Sequence, residues 1–241
     1  ELLWSRQLLE DDANDFGCGA TPEEYQKNCP GKKPGTNDDI GASPILHTLK
    51  NGRQILIASQ ESRTTTVLDP DRNGAIIWQG IPSDRKTATG GNLGPAVDGE
   101  LLYVPLGFED HQEFESAEAL KTEGGLVALD PESGRRAWTI VIPKPTDCKD
   151  PTSRYCTSAN QAAVTAIPGV LFTGSVDGTM RAFSSTDGAL LWSYSSNRTF
   201  ETINGIEASG GSLGGPGPTV VDGMVYWGSG YVILGTMPGN A

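Results

Sequence analysis

The residues with the clearest chemical potential are an amide and two carboxylates in a row, Asn37, Asp38 and Asp39. A carboxylate can act as a general base when it lies within hydrogen-bond reach of the proton that it removes. The same three residues could also form a solvated turn, because Asp and Asn are common in loops for conformational reasons alone. The residues leave both interpretations open, a catalytic base or an exposed turn.

The four cysteines fall into two local pairs, each within a loop rich in Pro, Gly and Asp. There is no C-x-x-C motif, and the two histidines lie far apart in the sequence, so zinc and haem are not expected. Free thiols are the alternative to two loop disulfides, which would form in an oxidising compartment such as the periplasm or the cell exterior. The predicted bonds are Cys18 with Cys29 and Cys148 with Cys156.

The elements that position these loops belong to a sequence phrase that occurs three times. In every copy an apolar strand runs into a polar turn, and a Trp follows the turn glycine by four residues. The copies recur at intervals that suit a four-stranded blade with its loops, so the repeat predicts a β-propeller. The glycine and tryptophan pairs are Gly74 with Trp78, Gly134 with Trp138, and Gly188 with Trp192.

A second hairpin precedes each copy, with Asn-Gly, Asp-Gly or Pro-Gly at its turn. We therefore predict an all-β chain, a single partial propeller of about three to four blades over residues 1–241. The chain begins inside a predicted strand and stops where an inner hairpin should begin, so we expect a fragment of a larger propeller. The predicted parts are a blade end at 1–9, a disulfide loop at 10–36, blades at 37–80, 90–142 and 158–195, and a partial blade at 216–241.

Composition excludes two classes of protein. The formal net charge is −12 and the isoelectric point is near 4.6, which argues against nucleic-acid binding because Lys and Arg dominate contacts with phosphate. No apolar run approaches the roughly 20 residues that a membrane-spanning helix needs. We expect the acidic surface to serve solubility.

An ordered set of further phrases resembles the pyrroloquinoline-quinone (PQQ) dehydrogenases, and more narrowly their polyvinyl-alcohol dehydrogenase-like branch. The resemblance implies an eight-bladed propeller with PQQ, and usually Ca²⁺, near its axis. It also implies oxidation of alcohol or polyol hydroxyl groups, with two electrons passed to the quinone and a cytochrome c as a possible acceptor. The matching phrases lie at 36–46, 67–69, 124–130, 162–169, 173–178, 200–205, 210–218 and 237–240.

The resemblance also implies roles for individual residues. Counting back from Pro44 places Asp38 at the family's catalytic base, whereas alignment on the pattern Asp-x-Asp-Phe-Gly makes Asp39 its second acid and Asn37 the replaced first. The base is then Asp38 or Asp39, with Asp38 and Asn37 as metal ligands. Asn204, in the phrase Phe-Glu-Thr-Ile-Asn-Gly, would offer its amide to a quinone carbonyl or brace its own loop.

The sequence departs from the family pattern at two places. Glu61 stands where the family carries a quinone-contacting Lys, and Arg63 is expected on the same side of the strand, where it could supply the cation. The stretch 90–95 is shorter than its family counterpart and lacks Glu-Trp-Gly. The alternative function is therefore an inactive propeller that binds protein or polysaccharide through its loops.

Overall fold

Antiparallel β-strands form the framework of the protein. Within the described residues the one helical element is a short 3-10 turn, Pro70–Arg72. The prediction of an all-β chain made of propeller blades is confirmed. The computed structural model describes residues 2–10, 39–60, 64–82, 89–90, 94–107, 123–146, 148, 150, 153, 155–230 and 237–239.

The first blade is a four-stranded sheet in which each strand pairs with the next along the chain. All three pairings are antiparallel, as expected for strands joined by tight turns. Strand β3 is buried along its whole length because both of its edges and both of its faces are covered. The strands are β1 (Ile45–Thr48), β2 (Gln54–Ser59), β3 (Thr65–Asp69) and β4 (Ala75–Gly80).

The second blade repeats this order and gains one short strand, β5, beside β7. Its first strand, β6, also pairs with β7, so the sheet has five strands. Its strands are β5 (Thr89–Gly90), β6 (Ala96–Val97), β7 (Leu102–Gly107), β8 (Gly124–Leu129) and β9 (Arg136–Ile142).

The third blade has four strands in chain order, and a further hairpin follows it. The remaining short strands connect the blades. The elements are β10 (Gln161–Ala162), β11 (Thr165–Ile167), β12 (Val170–Gly174), β13 (Thr179–Ser184), β14 (Leu190–Ser195), β15 (Thr199–Phe200), β16 (Ala208–Ser209), β17 (Gly214–Gly215), β18 (Thr219–Val221) and β19 (Met224–Tyr226).

The fourth strand of each blade (β4, β9 and β14) carries a β-bulge immediately before its Trp. In the first blade Leu68 pairs with Ile76 and Val67 pairs with Trp78, which leaves Ile77 as the extra residue. The same register shift occurs in the second and third blades. A bulge re-aims the side chains that follow it, so all three blades orient their Trp in the same way.

The hydrophobic core lies between neighbouring blades. Alternate residues of β7 face opposite ways, so Val104 packs in one cluster with Val67 of the first blade, while Tyr103 packs in another with Leu171 of the third. The second blade is therefore buried on both faces. Stacking of blades, rather than any single sheet, provides the core.

Three Trp rings, those of Trp4, Trp78 and Trp138, each cover the turn glycine of the following blade. A Cβ added to Gly134 would lie 2.8 Å from the ring of Trp78, and one added to Gly74 would lie 2.5 Å from the ring of Trp4. Trp138 approaches Gly188 in the same way, at 3.1 Å. These turns require glycine for two reasons. The Trp ring leaves no space for a side chain, and the residue adopts a positive φ, for example 71° at Gly134.

A buried tyrosine, Tyr103, forms a second contact between the second and third blades. The Tyr103 hydroxyl donates to a carboxylate oxygen of Asp98 at 2.6 Å and lies 3.3 Å from the carbonyl oxygen of Ser185. Burial raises the pKa of Asp98, but hydrogen bonds from Tyr103 and from the backbone N–H groups of Leu101 and Glu100 outweigh it, so the pKa stays below its usual value. Burial and the bond to Asp98 raise the pKa of Tyr103 far above its usual value.

We expect Gly134→Ala to lower the free energy of unfolding by about 2–4 kcal/mol, because it adds both backbone strain and a clash with the Trp78 ring. Gly169→Ala is the matched control, since Gly169 also has a positive φ, 84°, but no atom within 4 Å of an added Cβ. It should lose only the strain contribution, about 1 kcal/mol. Urea unfolding of both variants measures the difference, and equal losses would contradict the contact between Trp78 and Gly134.

Candidate functional site

The candidate residues that the structure describes lie at one end of the blades. Because strands alternate in direction, three segments of every blade lie at the same end: the lead-in before the first strand, the turn between the second and third strands, and the segment after the fourth. We call this the upper end. Asp39 lies in a lead-in, Gln60 and Thr64 border a second-to-third connection, and Asn204 follows a fourth strand.

The lead-in segments of successive blades run side by side. Strands β10 and β17 pair in parallel, with Gln161 opposite Gly214. The N–H of Val164 donates to the carbonyl oxygen of Gly94 at 3.0 Å, which joins the lead-ins of the second and third blades. The blades therefore all point the same way, and their upper-end loops lie on one face of the protein.

Most of the predicted acid, metal and quinone contacts lie outside the described residues. Asp39 is described and exposed, directly ahead of the first blade, so either interpretation of the acidic run is compatible with its position. The roles predicted for these residues stay predictions. The residues outside the description are Cys18, Cys29, Asn37, Asp38, Glu61 and Arg63.

Asn204 lies at the exposed tip of a small hairpin formed by β15 and β16. Its side-chain oxygen accepts from the N–H of Ile206 at 3.4 Å, and the N–H of Gly205 donates to the carbonyl oxygen of Thr202 at 3.2 Å. The Thr202 hydroxyl closes the tip by donating to the carbonyl oxygen of Ile206. The side chain thus shapes its own turn, and its contact with a quinone stays a prediction.

An arginine that sequence reasoning missed supports the base of this hairpin. The guanidinium of Arg198 lies 4.8 Å from the ring centroid of Tyr194 and 5.0 Å from that of Phe200, and it donates to the Tyr194 hydroxyl. Such contacts hold a cation in place while leaving it exposed. The signal in the sequence was an Arg two residues before the Phe of the family phrase.

A buried polar network links the second and third blades beneath the upper end. Arg181 forms an ion pair with Asp177 at 3.0 Å, with side chains 12% and 8% exposed, and donates to the Ser175 hydroxyl at 2.8 Å. Ser175 donates to Asn160, whose amide donates to the carbonyl oxygen of Gly125 in β8. The spacing Asp-Gly-x-x-Arg was the available signal, but its partners become visible only in three dimensions.

A disulfide constrains the loop that leads from β9 into the third blade. Cys148 and Cys156 are joined with an S–S distance of 2.07 Å, and Cys156 is almost fully buried. This is one of the two bonds that the cysteine spacing predicts. Cross-links of this kind limit the freedom of the unfolded chain and so favour an ordered loop.

A metal site is not formed by the described residues alone. Among them, no group of three or more His, Cys, Asp and Glu side chains could hold an ion.

None of the helical structure in the described part of the chain is long and apolar enough to cross a membrane.

The blade order and the Trp-on-glycine contacts define a propeller built from PQQ-type repeats. The chain belongs to this family: the family model described as outer membrane protein assembly factor BamB matches residues 40–166 and 124–234. A crystal structure of BamB from Moraxella catarrhalis is similar over 80% of this chain and 48% of that one, with 19% identity and a TM-score of 0.48.

Two curated relatives show which branch of the family the chain resembles. The chain is 37% identical over 235 residues to a polyvinylalcohol dehydrogenase of Pseudomonas sp, covering 96% of this chain and 34% of the relative. It is 35% identical over 231 residues to that of Sphingopyxis sp. strain 113P3, covering 95% and 34%. The predicted resemblance to the polyvinyl-alcohol dehydrogenase-like branch is confirmed, and the chain spans about a third of the length of these relatives.

Asp177→Ala should lower the free energy of unfolding by about 3–5 kcal/mol, because it leaves the Arg181 charge buried without its counter-ion. The control is Glu100→Ala, which breaks the exposed ion pair with Lys50. The side chain of Lys50 is 73% exposed and that of Glu100 is 70% exposed. That variant should lose no more than about 1 kcal/mol. Chemical denaturation separates the two, and a small loss for Asp177→Ala would show that the network carries little stability.

Proposed function

We propose that the protein containing these blades is a PQQ-dependent dehydrogenase that oxidises the hydroxyl groups of an alcohol or polyol. The observation that carries this proposal is the 37% identity, over 96% of the chain, to a protein named polyvinylalcohol dehydrogenase. The second relative, of the same name, supports it over nearly the same span. The activity is proposed for the whole protein, of which these blades are a part.

Oxidation of an alcohol to a carbonyl compound removes two electrons and two protons. PQQ, when bound, would accept the two electrons together with the hydrogen of the carbinol carbon. The chain's part is to accept the hydroxyl proton, and we assign this to Asp38 or Asp39, since a carboxylate at the end of the blades can act as a general base. Asp38 and Asn37 provide oxygen ligands of the kind that Ca²⁺ prefers, so we assign the metal to them.

Quinone binding would draw on polar and cationic groups at the upper end. PQQ is an anion, so Arg63 is the expected cationic contact, with the Asn204 amide directed at a carbonyl oxygen. The position of Asn204 in an upper-end hairpin supports this assignment, because the hairpin approaches the same face as the lead-in segments. Glu61, a negative charge in place of the family's Lys, is expected to weaken the affinity for the cofactor.

The compartment and the electron acceptor are parts of the same proposal. The disulfide between Cys148 and Cys156 supports a periplasmic or extracellular location, because such bonds persist in oxidising compartments. A cytochrome c is the proposed acceptor. The acidic net charge of −12 suits a basic partner, since opposite charges accelerate encounter.

Titration of the full-length protein with PQQ in the presence of Ca²⁺ tests the proposal. Quinone absorbance reports binding, and dye-linked oxidation of an alcohol reports turnover. We expect stoichiometric binding. If Asp39 is the base, Asp39→Ala should lower kcat by about 10²–10⁴-fold with cofactor binding retained. Asp38→Ala removes a proposed metal ligand as well, so it should also weaken the Ca²⁺-dependent binding. Asp222→Ala, at an exposed turn of the opposite end, is the control that should leave both readouts unchanged.

Two features of the sequence favour a second candidate, a propeller that binds protein or polysaccharide without catalysis. Glu61 replaces the family's Lys, and the stretch 90–95 is shortened. Absence of binding at near-millimolar PQQ would favour this candidate. Glu61→Lys then separates the causes, because binding restored by that substitution would identify the charge at this position as the reason for the loss.

A further inference from the structure

Three Asn-Gly dipeptides occur in the chain, at Asn51, Asn73 and Asn204. Asn is thermolabile because its side-chain amide can lose ammonia. A following Gly favours this reaction, since it has no Cβ to shield its backbone nitrogen. The nitrogen must leave its own hydrogen bond and approach the amide carbon of the Asn side chain. The surroundings of each dipeptide therefore decide how fast the folded protein reacts there.

The dipeptide at Asn73 is held by the contact between Trp4 and the first blade. Asn73 ends the 3-10 turn in the left-handed region, with φ 53°. The N–H of Gly74 donates to the carbonyl oxygen of Asp69 at 3.0 Å, and the Trp4 ring covers this glycine. The nitrogen of Gly74 is therefore released only when this contact opens.

The dipeptide at Asn51 lies in an exposed but firmly bonded turn between β1 and β2. The N–H of Gly52 donates to the carbonyl oxygen of Leu49 at 2.9 Å, and the Asn51 side-chain oxygen accepts from the N–H of Arg53 at 2.9 Å. The N–H of Leu49 closes the turn by donating to the carbonyl oxygen of Arg53, also at 2.9 Å. Four residue pairs of β1 and β2 support this turn.

The dipeptide at Asn204 has the weakest restraints of the three. The bond from the N–H of Gly205 to Thr202 is 3.2 Å long, and that from the N–H of Ile206 to the Asn204 side chain is 3.4 Å long. Only two residue pairs of β15 and β16 support the tip, and a Cβ added to Gly205 would have no atom within 4 Å. These bonds all lie within the hairpin itself, so they are set by its own sequence.

We propose that Asn204 is a site of spontaneous deamidation. The backbone nitrogen of Gly205 attacks the amide carbon of Asn204, and a bond between them closes a succinimide ring. The bond from that carbon to the amide nitrogen breaks, and ammonia leaves with the proton of the Gly205 nitrogen. Water then opens the ring and gives either Asp or isoaspartate, in which the main chain continues through the side-chain carbonyl. The reaction needs no oxidant and no cofactor.

The product changes the chemistry of the hairpin tip. A carboxylate cannot donate the hydrogen bond that the Asn204 amide would offer to a quinone carbonyl. It also joins Glu201 and Glu207, which are both exposed in the same tip, and so adds negative charge where an anionic cofactor would approach. This effect on the cofactor rests on the proposed function, whereas the modification itself does not.

The test incubates the full-length protein at mildly alkaline pH, with and without denaturing urea, and measures the conversion at each Asn by peptide mass spectrometry. Dividing each rate in the folded protein by the rate in urea removes the influence of the neighbouring sequence. We expect this ratio to be at least about tenfold higher for Asn204 than for Asn73, because release of Gly74 requires a local opening that costs 1.4 kcal/mol or more. Asn51 should lie between them.

A ratio for Asn204 no higher than that for Asn51 or Asn73, or no conversion at Asn204 in the folded protein, would overturn the proposal. Asn204→Gln is the matched variant, since it keeps an amide but cannot form the five-membered ring readily. It should show no conversion at this position under the same conditions.

PQQ titration of the incubated protein tests the effect on the cofactor. The deamidated protein and Asn204→Asp should both bind PQQ about tenfold more weakly than the fresh protein, since one hydrogen bond is lost and a like charge is added. Equal affinities would contradict the contact of Asn204 with the quinone. The mass measurement detects conversion whether or not PQQ binds, so failure of the proposed function and failure of the modification are distinguished.

Discussion

The contact of the Trp4, Trp78 and Trp138 rings with the left-handed turn glycines of the blades that follow them is the constraint on which the rest of the structure depends. It fixes the distance between blades, because nothing larger than glycine fits beneath the ring at Gly74 or Gly134. It also fixes their relative direction, since the contact joins a fourth strand to a turn at the same level of the next blade. Stacked in this way, the blades present their lead-in segments on one face.

Buried polar groups lie beneath this common face and stabilise it. The ion pair of Asp177 and Arg181 and its hydrogen bonds to Ser175 join the third blade to the lead-in that contains Asn160. The disulfide at Cys148 constrains the loop beside it. The apolar contacts between blades provide stability, whereas the buried polar groups define how the loops of neighbouring blades meet.

Much of the fold could be predicted because the patterns that indicate it lie within a few consecutive residues. A turn glycine four residues before a Trp defines a hairpin by itself, and its repetition defines blades. The partners of Arg181 and the rings around Arg198 could not be predicted, because they depend on strand register and on segments that meet only after folding. Asn204 shows the same limit: the sequence placed it in a loop, but only the structure shows it exposed at a hairpin tip.

We propose that PQQ binds at the upper end of the blades. Amide hydrogen exchange of the full-length protein, with and without PQQ and Ca²⁺, tests it most directly. We expect slower exchange in upper-end segments such as 39–44, 158–164 and 196–217, with no change at the opposite turns 49–53, 98–101 and 168–169. Protection at those opposite turns, with the upper-end segments unchanged, would contradict it.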